Sequence, residues 1–359
     1  MKRPPSLLAI LFISLAPACA QWQLQKSNTT ADLRGIHSIG NGVAWASGAN
    51  GTVLRTFDDG KSWFVCPVPQ GAEHLDFRAI QAFDSKTALV MSSGRGDLSR
   101  LYKTVDGCLT WTLVFTNPDA DGFWDAFVLN RSALDGELLG GPVNGKFAYW
   151  ETDDRGNTWH RVNSGGLEAL TGEGAFAVSN SSLFLNDKFG TAFVTGGSSG
   201  PRILTNDGSS PTQPFLSHAL PLAGGSISTG ALSVVARDEC CWVVVGGNYN
   251  KPYDTAGTAA YSTDGGKTWH AAITPPHGFR TSVAWDAPTQ TWVTVGPNGT
   301  DVSTDDGKNW RPLRPNLVRD TPVDADKNWN AISLPFVVGQ KGRIGRHSRA
   351  TEVRAEPHR

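Results

Sequence analysis

Ser262-Thr263-Asp264-Gly265-Gly266-Lys267-Thr268-Trp269 sets a carboxylate, hydroxyls and two glycines beside a tryptophan, the residue types of an acid–base or nucleophilic loop. The same types return as TFDDGKSW from Thr56, TVDGCLTW from Thr104, TDDRGNTW from Thr152 and STDDGKNW from Ser303, and a degenerate TNDGSS from Thr205 has lost its tryptophan. An active site is built once per chain, whereas a unit that must be stacked recurs at a fixed period. Asp58, Asp106, Asp154, Asp264 and Asp305 are therefore expected to hold structure rather than to catalyse.

The third-position aspartates are spaced 48, 48, 53, 57 and 41 residues apart, counting Asp207 in the degenerate copy. Periods of about 40–50 residues with several short strands each are the signature of propeller blades. Apolar strands ending in glycine precede the motifs (VAWASG, ALVMSSG, ELLGG, AFVTGG, WVVVGG, WVTVG), and Phe336-Val337-Val338-Gly339 supplies a seventh. The fold class is all-β, a seven-bladed β-propeller. The last blade lacks a strand after its third, and Gln21-Trp22-Gln23-Leu24-Gln25 resembles the strand that follows a motif, so the N-terminal strand is expected to complete the last blade and close the ring. The motif lies at the turn between third and fourth strands. There Gly60, Gly156, Gly266 and Gly307 suit positive φ, the aspartate can accept turn N–H groups, and the tryptophan covers apolar surface between blades. Cys108 stands where the glycine is expected, which predicts a turn that bends differently.

The consensus S/T-x-D-x-G-x-T-W resembles the Asp-box (BNR) repeat of sialidases, some endo-glucanases, sorting receptors and photosystem II stability/assembly factors. In length, blade number and export signal the chain is most similar to the last group. That resemblance implies a non-enzymatic propeller whose partner is another protein, needing no cofactor and no metal. It covers nearly the whole mature chain, but the motif belongs to the scaffold, and one scaffold hosts many activities.

The ends and the composition set the context. Lys2-Arg3, an apolar run from Leu7 to Leu15 and Ala18-Cys19-Ala20 read as a signal peptide over residues 1–20, with the propeller at 21–348 and a disordered tail at 349–359. The expectation is a secreted or periplasmic monomer with no membrane span. A net charge of -1 argues against a nucleic-acid partner. Cys66 and Cys108 sit in neighbouring repeats, which predicts an inter-blade disulfide in an oxidising compartment. Cys240 and Cys241 are either strand residues pointing to opposite faces or a strained vicinal disulfide.

Where, then, would ligand chemistry sit? The first strand of each blade lines the channel, and aligned at its start are Arg34-Gly35-Ile36, Arg78-Ala79-Ile80, Asp125-Ala126-Phe127, Gly174-Ala175-Phe176, Gly230-Ala231-Leu232, Thr281-Ser282-Val283 and Asn330-Ala331-Ile332. The leading residue varies while the rest do not, as ligand contacts do on a uniform frame. Arg34, Arg78, Arg280, Asp125 and Asn330, with Glu73, His74, Asp76, Trp124, His277 and Trp329, fall near this mouth. The three arginines either grip a carboxylate or phosphate together or each pairs with a nearby acid, Arg78 with Asp76 or Glu73. The loop Asn248 to Thr258 lies on the same face and is expected to cap the pore. A sialidase-type glycosidase is the alternative, with the three arginines and Tyr253 in its roles, but no Arg-Ile-Pro precedes the first motif. Gly172-Glu173-Gly174 lacks the strand–helix setting of a dinucleotide site, and Asp324-Ala325-Asp326 has Trp329 where a calcium loop needs glycine.

Overall fold

Short apolar segments rich in valine and tryptophan, each closed by glycine, can bury both faces only if sheets stack side by side. The computed structural model describes residues 22–130, 132–208, 213–313, 322 and 324–347. The leader read at residues 1–20 and the tail at 349–359 lie outside the described residues. Seven antiparallel sheets form seven blades, and the described residues contain no helix beyond the single turn Gly96–Leu98. The innermost strands are Leu33–Gly40, Phe77–Ala82, Trp124–Leu129, Leu183–Asn186, Ser226–Ala236, Ser282–Asp286 and Trp329–Ser333.

The ring closes through the N-terminal strand. Trp22–Gln25 pairs with Ile344–His347, Trp22 opposite His347 and Gln25 opposite Ile344, and so becomes the outer strand of the seventh blade. Trp22 is 1% exposed, its indole N–H donating to Thr300 Oγ1 of blade six at 2.8 Å. One strand thus completes a sheet and seals a seam.

Seven apolar clusters fill the seams between blades. The motif tryptophans reach backward into them. Trp63 of blade one meets Phe336 of blade seven edge to face at 5.5 Å, Trp159 packs with Leu89 and Leu101 of blade two, and Trp310 with Val243 and Val245 of blade five. Burial of each is worth on the order of 2–3 kcal/mol. The Cys66–Cys108 disulfide ties blade one to blade two.

The motif turns share one hydrogen-bond plan. In blade five Ser262 Oγ donates to Asp264 Oδ1 at 2.8 Å and accepts from the Gly266 N–H at 2.9 Å, while Asp264 Oδ1 and Oδ2 accept from the Thr268 N–H and hydroxyl at 2.9 and 2.6 Å. Asp106, Asp154 and Asp305 do the same in their turns, with Asn309 replacing the second hydroxyl in blade six. Cys108 does not alter the bend: it adopts φ 64° and donates its N–H to Thr104 Oγ1 at 3.0 Å, as the glycines do. The disulfide and the carboxylate network hold this non-glycine residue left-handed.

Two further expectations fail. Cys240 and Cys241 are not in a strand; they end the turn Arg237–Cys241, closed by Arg237 N–H to Cys241 O at 2.9 Å, and the strand begins at Trp242. Blade four does not start at Gly174-Ala175-Phe176. Glu173–Gly174 pairs instead with Gly196–Gly197, which also bonds to the inner strand of blade five and fuses that end of two blades, and the inner strand of blade four comes later, at Leu183–Asn186.

Two outcomes follow from this architecture. A chain beginning at Ala31 lacks the closing strand and is expected to melt at a lower temperature and aggregate through the bared edge of Ile344–His347; equal melting temperatures for the two chains would contradict the closure. Hydrogen bonds from Thr110 and Thr268 hold Asp106 and Asp264 at about 2, and Asp154 sits at about 2 because the Thr158 bonds outweigh its desolvation, all below the ordinary 3.8. A depressed folded pKa stabilises above the unfolded value and ceases to as pH falls through the folded one, so melting temperature should drop between about pH 4 and 2. Asp264→Ala should cost about 1–2 kcal/mol near neutral pH and shrink that acid-side drop.

Candidate functional site

The variable residues at the channel mouth occupy bulges. At the mouth position of four blades the inner strand slips register by one residue, between Leu33 and Gly35, Phe77 and Ala79, Trp124 and Ala126, and Trp329 and Ala331; in blade five the slip comes later, between Ala231 and Ser233. Arg34, Arg78, Asp125 and Asn330 are the extra residues. A bulge re-aims a side chain without breaking the sheet.

Blades one to three supply a polar cluster. Arg78 donates from Nε to Asp76 Oδ2 at 2.7 Å, both side chains being a little over a quarter exposed, and its guanidinium stands 6.0 Å from the Phe123 ring centroid. Asp125 is 3% exposed, and burial pushes its carboxyl up to about 8 against the pull of the Arg78 charge and the Gly141 backbone. Among the described residues Arg34 Nε, Asp76 Oδ1 and Asp125 Oδ2 are buried atoms with no hydrogen-bond partner, as are atoms elsewhere in the ring such as Ser47 Oγ and Trp242 Nε1. Such atoms are rare in folded proteins, because an unmatched buried polar group costs about 1–3 kcal/mol.

The other mouth residues are otherwise committed. Arg280 does not present its charge to the opening. It is 0% exposed, its Nε donates to Asp301 Oδ2 at 2.9 Å, and Nη1 donates to Phe279 O at 2.8 Å and to Asn298 Oδ1. His277 lies 2.9 Å from Asp301 Oδ1. Burial pushes the Asp301 carboxyl up, but the His277 bond and the Arg280 charge overcome it and hold it below the ordinary value. Trp124 and Trp329 are fully buried, Trp124 stacked on Phe115 at 5.1 Å. Asn330 donates to Leu33 O at 2.8 Å and joins blade seven to blade one. Glu73 and His74 are exposed on the loop into blade two.

A segment that sequence reading missed crosses the channel. Between the displaced strands of blade four, Ala175–Ser182 reaches four other blades. Ala177 O accepts from Arg78 Nη1 at 3.2 Å, Asn180 Oδ1 from the Phe127 N–H at 2.9 Å, and Ser181 O from the Val234 N–H at 2.9 Å, while Ser179 Oγ donates to Thr281 O at 2.9 Å. The Phe176 ring rests on Gly196 and Gly230, where any Cβ would come within 2.8 Å of it. The signal available was the 53-residue spacing before the degenerate motif, five more than the two spacings ahead of it. The loop Asn248 to Thr258 docks on blade six, where Pro252 O accepts from Phe279 N–H and Asn298 Nδ2, both at 3.1 Å, and its Tyr249 meets Phe176 edge to face at 6.5 Å. Tyr253 there is 75% exposed. Arg202 of the Pro201-Arg202-Ile203 stretch donates to both carboxylate oxygens of Glu173, at 2.8 and 2.6 Å.

The arginines should separate on substitution. Arg280→Ala leaves Asp301 charged and buried without its partner and is expected to destabilise the fold by about 3–5 kcal/mol. Arg34→Ala removes a guanidinium that makes no hydrogen bond among the described residues and should leave the melting temperature within a degree or two. Chemical denaturation of the two variants side by side measures the difference, and equal effects would contradict this placement.

The BNR/Asp-box repeat family matches residues 260–271, the blade-five motif with the strand before it. No curated protein matches the chain in sequence. Among solved structures, YCF48 bound to a D1 peptide is similar over 92% of this chain and 97% of that one, at TM-score 0.62 and 16% identity. YCF48 from Cyanidioschyzon merolae is similar over 91% and 98%, at TM-score 0.58 and 18% identity. The WD40 β-propeller domain of Doa1 is similar over 92% and 97%, at TM-score 0.56 and 11% identity. At such identities the likeness is one of fold. With its repeated carboxylate-locked turns, seven sheets and self-closing ring, the chain is a seven-bladed β-propeller that carries a BNR/Asp-box repeat at residues 260–271 and is similar in fold to YCF48.

Proposed function

We propose that this propeller is an exported, non-catalytic binding module that holds a segment of another protein on the channel-mouth face of blades one to three. The observation that carries the reading is the set of unmatched buried atoms, Arg34 Nε, Asp76 Oδ1 and Asp125 Oδ2, on three adjacent blades. A bound chain can supply the missing donors and acceptors, and the gain is larger because the atoms are already desolvated. The likeness to YCF48 bound to a D1 peptide supports a protein as the partner class. The signal-peptide reading of residues 1–20 favours an encounter outside the cytoplasm.

Arg34 and Arg78 favour an acidic partner segment, and their attraction weakens with salt over a screening length of about 8–10 Å. The mature chain as bait should capture a discrete protein from the host envelope. Arg34→Ala combined with Arg78→Ala should abolish capture well below the melting temperature, which falls only as far as the lost Arg78 bonds to Asp76 and Ala177 O require. Asp125 gains its negative charge as pH rises through about 8, so capture should weaken there, and Asp125→Asn should flatten that dependence. Unchanged capture by the double arginine variant would place the interface elsewhere. Turnover of a sialoside, lost in Tyr253→Phe, would replace this reading with the glycosidase.

A further inference from the structure

On the opposite face of the ring, between the motif turns of blades five and six, lies a thiol pair that the binding site does not use. Cys240 Sγ and Cys241 Sγ are 3.1 Å apart, inside ordinary van der Waals contact for two sulfurs. Cys240 is exposed and Cys241 is 6% exposed. The turn that carries them is organised by one carboxylate. Asp238 Oδ1 accepts from the Cys240 and Cys241 N–H groups at 3.0 and 2.8 Å and from the Cys240 thiol at 3.1 Å. Arg237 holds that carboxylate through Nε at 2.8 Å and reaches Asp306 of the blade-six turn with Nη1. Gly265 of the blade-five turn donates its N–H to Cys240 O at 3.1 Å. The two sulfurs are thus fixed against each other by neighbours on both sides.

We propose that Cys240 and Cys241 form a reversible redox site that closes to a vicinal disulfide by exchange with a small-molecule disulfide. Exposure assigns the order. Cys240, as thiolate, attacks one sulfur of the incoming disulfide; the S–S bond breaks, the departing half leaves as a thiol carrying the proton, and a mixed disulfide remains on Cys240. Cys241 is screened from solvent, so the sulfur in its reach is that of Cys240. It attacks there, expels the second half as a thiol that takes its proton, and closes the ring. Two protein thiols are oxidised and one external disulfide is reduced to two thiols.

Chain geometry makes the product easy to reopen. Adjacent Cα atoms stand about 3.8 Å apart across a trans peptide, short of the roughly 4.4–6.8 Å that an unstrained disulfide spans. Strained, exposed disulfides are the readily reduced ones. Burial pushes the Cys241 thiol up to about 12, which keeps it unreactive toward solvent reagents; in the mixed disulfide the Cys240 thiol that also raised it is gone, and its proton passes to the departing thiolate as the new S–S bond forms.

The test incubates the full mature protein in glutathione buffers of increasing oxidised fraction, quenches with acid, alkylates free thiols and locates them by peptide mass. The expected result is paired loss of both thiols with loss of two hydrogens, no lasting glutathione adduct, and full reversal by reduced glutathione. Cys241→Ser should trap glutathione on Cys240, whereas Cys240→Ser should leave Cys241 unmodified in the folded protein. A stable adduct on the unsubstituted protein, or two thiols still alkylatable in the most oxidising buffer, would overturn the proposal. The readout does not depend on partner capture, so it stands or falls apart from the binding reading.

Discussion

Six of the seven innermost strands have an edge that no further strand pairs, the blade-five strand being met in part by Gly196–Gly197, and the ring depends on satisfying those edges. In four blades side chains of the preceding blade do so. Ser333 accepts from the Ser38 N–H, His37 from Ala82, Gln81 from Leu129 and Ser233 from Val283, at 2.8 to 3.2 Å. Each acceptor stands on the inner strand of the blade before, so the apolar seams outside and this polar stitching inside run in the same direction around the ring. His37 can accept through Nδ1 only while that nitrogen carries no proton, and burial pushes its pKa down to about 4. The core of the ring is thus polar, ordered and built from side chains rather than ladders.

Against that stitched interior the mouth of blades one to three stands out. Two of its bulged residues, Arg34 and Asp125, carry a buried atom that no described neighbour matches, whereas the same ring position in blade seven, Asn330, is matched by Leu33. Arg280 illustrates the difference. A charge at the same rim, once furnished with Asp301, Asn298 and a backbone carbonyl, becomes part of the frame.

What the sequence disclosed and what it hid divide along one physical line. Local turn chemistry repeats, so the motifs, the blade count and the orphan strand at Trp22 were readable from spacing alone, and the neighbouring repeats of Cys66 and Cys108 pointed to their pairing. Partnership between residues distant in sequence leaves no such trace. Nothing in Arg280 itself distinguishes a buried ion pair with Asp301 from a free guanidinium. Cys108 looked like a broken turn because the glycine consensus registers φ preference and not the bonds that override it. The channel-crossing segment was hidden because its residues bond to four blades at once and so follow neither strand nor helix period.

The pairing of Trp22–Gln25 with Ile344–His347 also imposes an order in time. Synthesis delivers the closing strand first and its template last, so the earliest segment must wait, unpaired, while six blades assemble behind it. The tryptophan at its head has no seam to enter until the blade bearing Thr300 and the one bearing Trp329 both exist. A nascent chain cut short anywhere before the seventh blade is therefore an open arc with two raw ends. Completeness of translation is itself a condition for a finished molecule, and an aborted product is marked by its bared edges for capture by chaperones or proteases.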